Sequence, residues 1–115
     1  MGRTRNVRRH ARAVLVAACA LLALAPTAAW GGTLRRVTVG SNFFDPPKLT
    51  IKRGDRVRWT WEPSIKAHDV RVRSGPERFR SPTQSSGTYT RTFRKAGTFK
   101  LYCSRHPMRM TLVVR

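Results

Sequence analysis

Acidic residues are scarce in this 115-residue chain: five Asp and Glu stand against 24 Lys and Arg, for a net charge of +19. So few carboxylates leave little material for paired acid–base chemistry, which argues against an enzyme. Histidine and cysteine are scarcer still, at three and two residues. That leaves no second histidine cluster for a further metal, and the length is too small for a substrate cleft. No stretch after Trp30 has a helical hydrophobic period, which excludes a helical bundle. The long apolar run from Ala13 to Ala25 is shorter than the roughly 20 residues that span a bilayer.

What is present divides the chain in two. Arg3, Arg5, Arg8, Arg9 and Arg12 precede that apolar run, and Pro26-Thr27-Ala28-Ala29 follows it with small residues. Residues 1–29 therefore read as a cleaved export signal, and 30–115 as the mature domain in the periplasm or otherwise outside the cytoplasm. A retained anchor is the second reading. Arg8-Arg9 leaves a twin-arginine route open, although His10-Ala11-Arg12 is not the usual sequel. Val16-Ala17-Ala18-Cys19 loosely resembles a lipoprotein cleavage box, but cleavage there would leave the apolar Ala20 to Ala25 stretch on the product.

Without the signal's five arginines the 86-residue domain carries +14. A domain so small buries only about 60% of its unfolded surface and gains from an added staple. A disulfide within the chain is excluded, because Cys19 leaves with the signal and Cys103 is then alone. Metal ligation is a way to keep a single thiol and stabilise the fold together.

Short runs of period-two alternation mark half-buried strands. Val37 and Val39 form the first, Leu49 and Ile51 the second, and Val57, Trp59 and Trp61 the third, with Arg56, Arg58 and Thr60 facing outward. His68, Val70 and Val72 share a face in the fourth. Tyr89, Arg91 and Phe93 follow, then Phe99, Leu101 and Cys103, and a β-branched run ends the chain from Thr111. Turn signals such as Asp45-Pro46-Pro47, Arg53-Gly54-Asp55 and Ala96-Gly97 separate them. The pattern predicts an all-β sandwich of seven to eight strands, antiparallel or mixed. Strand parity points His68 and Cys103 inward, assigns Trp59 and Trp61 to core packing, and turns Asp69 outward into solvent.

Cys103 stands three residues before His106, and Met108 and Met110 follow. A thiolate, an imidazole and a thioether within eight residues match the donors of a mononuclear copper electron-transfer site, which needs one more histidine. His68 fills that place, and the mature domain has no histidine besides it and His106.

These residues sit in a sequence that resembles a cupredoxin of the plastocyanin, pseudoazurin and amicyanin group. The likeness runs from Val37-Thr38-Val39 through Phe43-Phe44-Asp45-Pro46, Leu49-Thr50-Ile51 and Gly54-Asp55-Arg56-Val57-Arg58-Trp59 to His68-Asp69-Val70. It continues through Ala96-Gly97-Thr98-Phe99 to Leu101-Tyr102-Cys103-Ser104-Arg105-His106-Pro107. The resemblance implies a Greek-key sandwich holding one copper ion at one end and carrying single electrons between Cu(II) and Cu(I). It implies His68, Cys103 and His106 as equatorial ligands and Met108 as the axial one, in a loop one residue shorter than usual. Met110 is the substitute. It also implies that electrons pass through the exposed edge of His106.

The arginines are spread over nearly every strand, so the expected partners are anionic: an acidic redox protein or an anionic membrane surface. Nucleic acid is set aside by the export signal, and a monomer is expected. A protein that delivers copper without shuttling electrons is the alternative to a carrier, and a cationic interaction domain with an empty site is the third reading.

Overall fold

The computed structural model describes residues 32–115; the export signal, Cys19, Trp30 and the domain boundary lie outside the described residues. Eight strands follow one another: β1 (Leu34–Gly40), β2 (Phe43–Asp45), β3 (Lys48–Ile51), β4 (Arg56–Trp61), β5 (Arg71–Ser74), β6 (Gly87–Thr92), β7 (Gly97–Tyr102) and β8 (Arg109–Val114). They build two four-stranded sheets, in the orders β2-β1-β4-β6 and β3-β8-β7-β5. From β2 to β7 the chain crosses to the other sheet at every connection, which closes it into an all-β sandwich.

Alternation places the core as expected. Val57, Trp59 and Trp61 are buried while Arg56 and Thr60 are exposed, and Phe99 and Leu101 are buried while Thr98 and Lys100 face water. The sheets are mixed: β1 pairs with β4 and β3 with β8 in parallel, and the other pairs are antiparallel. The fourth run differs from its sequence reading. Its strand begins only at Arg71, so His68, Asp69 and Val70 form an irregular approach in which all three residues are buried.

Aromatic rings fill the space between the sheets. Phe93 lies edge-on to Phe99 at 5.2 Å, to Phe79 at 5.6 Å and to Trp59 at 6.2 Å. Such contacts add to the burial of each ring. Arg91 covers the Phe79 ring at 4.5 Å and pairs with Glu77 at 3.3 Å, which holds the β5–β6 connection against the core.

The end of the sandwich where β1 and β4 begin is fastened by one carboxylate. Asp55 accepts the Thr33 N–H at 2.8 Å and the Lys52 N–H at 2.9 Å, joining the start of β1 to the β3–β4 turn. Gly54 in that turn has a φ of 93°, which glycine adopts without a steric cost. The Lys52 hydrogen bond is the main influence holding Asp55 below its ordinary pKa of 3.8; burial opposes it, and the Thr33 bond and the charges of Arg35 and Lys52 add to it.

Phe93→Ala should lower unfolding stability by about 3–5 kcal/mol in a denaturant titration, because it empties the ring cluster at its hub. Asp55→Asn tests the carboxylate through pH. A pKa depressed in the folded state adds stability that is complete above the unfolded value and is lost as pH falls through the folded one. The wild type should therefore exceed Asp55→Asn in stability at pH 7, and the gap should narrow as pH drops below 3.8.

Candidate metal centre

Two separate segments bring three donors together. The first carries His68, whose N–H donates to Gln84 O at 2.9 Å while its carbonyl accepts the Gln84 N–H at 3.1 Å, an isolated antiparallel bridge. The same carbonyl accepts the indole N–H of Trp61 at 3.0 Å. His68 is thus clamped on the backbone before any metal is considered.

The second segment is the loop from β7 to β8. The antiparallel ladder runs Leu101 opposite Met110 and Tyr102 opposite Arg109. It extends one step further, since the Cys103 N–H donates to Met108 O at 3.2 Å. Opposed residues of such a ladder share a face. Cys103 and Met108 therefore lie together one inward step beyond Leu101 and Met110, and all four are buried. The loop folds back sharply, with the Met108 N–H donating to His106 O at 2.8 Å. Met108 so occupies the rung of Cys103, and Met110 the rung beneath it in the core.

Asp69 ties the two segments. Strand parity assigns it to solvent; the structure buries it completely, because the backbone is not yet a regular strand there. Its carboxylate accepts the Ser104 N–H at 2.7 Å, the Ser104 hydroxyl at 2.7 Å and Arg71 Nε at 2.8 Å. Burial works against the charged form, but these bonds and the Arg71 charge outweigh it and hold the carboxyl below its ordinary pKa. The Asp69 N–H points at Cys103 Sγ from 3.5 Å, as does the Arg105 N–H.

The donor atoms of His68, Cys103 and His106 all lie within 4.8 Å of one another, with His68 Nδ1 4.0 Å from Cys103 Sγ. The two imidazoles are 4.5 Å apart between centroids. His106 Nδ1 is buried and has no hydrogen-bond partner, a costly state unless something is bound there. Burial, then the neighbouring His106 and Lys66, push the His68 pKa down, against a weaker pull from Asp69. A neutral imidazole is the form that ligates a metal. Two imidazoles and a sulfur that receives two N–H groups fit a soft transition metal such as copper.

The sequence points to these three donors and to Met108. It does not reveal the supports. Trp61 is core as expected, yet its indole N–H also fixes His68, and a buried indole N–H without an obvious partner is the signal for that. Gln84 and Arg71 carry no motif, and they and Ser104 of the ligand-loop segment act through contacts that only the fold creates.

Asp69→Ala should cost about 1–3 kcal/mol in the metal-free protein, since it strands the Ser104 and Arg71 donors. In chelator competition it should weaken metal binding by about 10–100-fold. Asp69→Asn, which keeps an acceptor for Ser104, should recover part of both.

Known proteins place this geometry. The sequence model for copper binding proteins of the plastocyanin/azurin family matches residues 34–115. Among curated proteins none matches in sequence. An oxidised methionine-to-leucine mutant of amicyanin is a similar solved structure, at 28% identity over 70% of this chain and 81% of that one, with a TM-score of 0.63. A reduced proline-to-phenylalanine mutant of amicyanin is similar at 29% identity over 71% and 82% of the two chains, with a TM-score of 0.62. A copper-containing nitrite reductase from Thermus scotoductus SA-01 shares 29% identity and a TM-score of 0.63 over 70% of this chain; the chain spans only 22% of that enzyme. The family match takes in every strand and all three clustered donors, so this chain belongs to the plastocyanin/azurin family of copper binding proteins, a cupredoxin of the amicyanin and plastocyanin group with one copper ion as its cofactor.

Proposed function

We propose that the protein is an exported one-electron carrier in which His68, Cys103, His106 and Met108 hold a single copper ion. The observation that carries this reading is the rung formed by Cys103 and Met108 at the end of the β7–β8 ladder, facing a buried and clamped His68. Copper supplies the Cu(II)/Cu(I) couple. The chain's own residues supply a cage that does not depend on the metal for its shape. Cys103 ends a strand, His68 is fixed by Gln84 and Trp61, and Ser104 is held by Asp69. Ligands held this way rearrange little when the charge on the metal changes, which is what fast transfer requires.

His106 is the natural port. It is partly exposed, between exposed Arg105 and exposed Pro107, whereas His68, Cys103 and Met108 are buried. Arg105 on this loop favours an acidic redox protein as partner. The leader in residues 1–29 supports export to the periplasm or beyond. We read no catalytic step into the chain. Its likeness to the nitrite reductase covers 22% of that protein, and both histidines after residue 30 belong to the one cluster.

Copper(II) added to the mature protein, purified after export, should give an intense thiolate-to-copper absorption band and narrow copper hyperfine splitting in electron paramagnetic resonance. Cys103→Ser should abolish that colour. Met108→Leu should keep the colour and shift the reduction potential, while Met110→Leu should change stability and leave the potential nearly unmoved. A pale, ordinary copper(II) spectrum from the wild type would overturn the carrier reading, and a potential that follows Met110 would overturn the axial assignment.

A further inference from the structure

The end of the sandwich opposite the metal donors gathers positive charge from three parts of the chain. Backbone hydrogen bonds bring these parts together: the Arg53 N–H donates to Arg115 O at 2.9 Å, the Gly54 N–H to Phe93 O at 2.7 Å, and the Arg56 N–H to Thr33 O at 2.9 Å. Lys52, Arg53, Arg56, Arg94, Lys95 and Arg115 are all exposed around this junction. Among the described residues none of the six forms an ion pair. The two acids nearby are engaged, Asp55 by the Thr33 and Lys52 N–H groups and Glu77 by Arg91. Glu62 and Asp69, by contrast, lie toward the metal end.

Packing does not account for six unpaired cations on one pole, since like charges crowded together cost stability. The start of the domain is at this same pole: Gly32 packs against Gly54 and Asp55, and Thr33 is held by Asp55. The apolar stretch Ala13–Ala25 therefore joins the domain here, through seven residues that reach at most about 25 Å.

We infer that this basic pole docks on an anionic phospholipid surface. Several Lys and Arg side chains presented on one plane attract acidic headgroups together, with little specificity for any single one and strong sensitivity to salt. β7 runs from the pole at Gly97 to Tyr102 beside the donors, a rise of roughly 20 Å. Docked in this way, the protein turns His106 away from the membrane and toward partners in solution. The inference does not depend on the copper chemistry.

The test is co-sedimentation of the mature, copper-loaded protein with vesicles of phosphatidylcholine containing one quarter phosphatidylglycerol, compared with pure phosphatidylcholine, at low salt and at physiological salt. The wild type should bind the anionic vesicles, bind more weakly as salt rises, and ignore the neutral ones. A triple variant, Arg53→Glu, Arg94→Glu and Lys95→Glu, should lose at least tenfold in binding. A charge-matched variant on exposed positions away from the pole, Lys48→Glu, Lys66→Glu and Arg80→Glu, should lose less than threefold. The far-ultraviolet circular dichroism spectrum of each variant reports that it is folded. Equal losses in the two variants would show net charge acting without a docking face and would overturn the proposal. So would absence of wild-type binding at physiological salt, which would leave the pole to an acidic protein.

Discussion

A buried carboxylate between two loops sets the rest of this site. Asp69 follows His68 directly, so its backbone travels with the first donor, while its side chain grips the N–H and hydroxyl of Ser104, directly after the Cys103 donor. The segments joined are 35 residues apart in sequence, and the strands beside them, β5 and β7, are direct neighbours in one sheet. Arg71 completes the carboxylate's contacts from one side, half in water, and lightens the cost of keeping that charge inside. The clustered donors are therefore registered against one another by contacts within the protein.

The remainder of the sandwich makes that registration rigid. β7 and β8 lie side by side for six residue pairs before they reach the loop, and the aromatic cluster around Phe93 fills the space beneath them. Trp61 extends from the core to the carbonyl of His68, so core packing and donor placement share a residue. At the far pole Asp55 does for β1 and the β3–β4 turn what Asp69 does for the donors. Two of the five acids in the sequence are spent on such internal ties, and a third, Glu77, on Arg91. The exposed surface is consequently even more one-sided in charge than the composition suggests, and the metal end and the far pole present it to different kinds of neighbour.

Much of this was legible from residue order. Period-two burial located Val57, Trp59, Trp61, Phe99 and Leu101, and the spacing of Cys103 and His106, with His68 as the one remaining histidine, picked out the cluster. Asp69 was misread because parity assumes a continuous strand, and the chain between Ala67 and Arg71 is shaped instead by the His68–Gln84 bridge and the hydroxyl of Ser81 on the Val70 N–H. The choice between Met108 and Met110 was open because the loop is short and parity alone fits both. The hydrogen bond that extends the ladder to Cys103 and Met108 separates them by rung. The parallel pairings of β1 with β4 and β3 with β8 are contacts between distant segments and leave no local trace in sequence.

Electron self-exchange between oxidised and reduced copper-loaded protein, read from proton resonance broadening in mixtures of the two, probes whether the cage serves both oxidation states. A cage fixed by Asp69, Trp61 and the β7–β8 ladder predicts fast exchange, accelerated by salt as the repulsion between two cationic molecules is screened. Exchange that stays slow at high salt, with ligand resonances shifting between the two states, would contradict the carrier and point to a protein that holds copper for delivery.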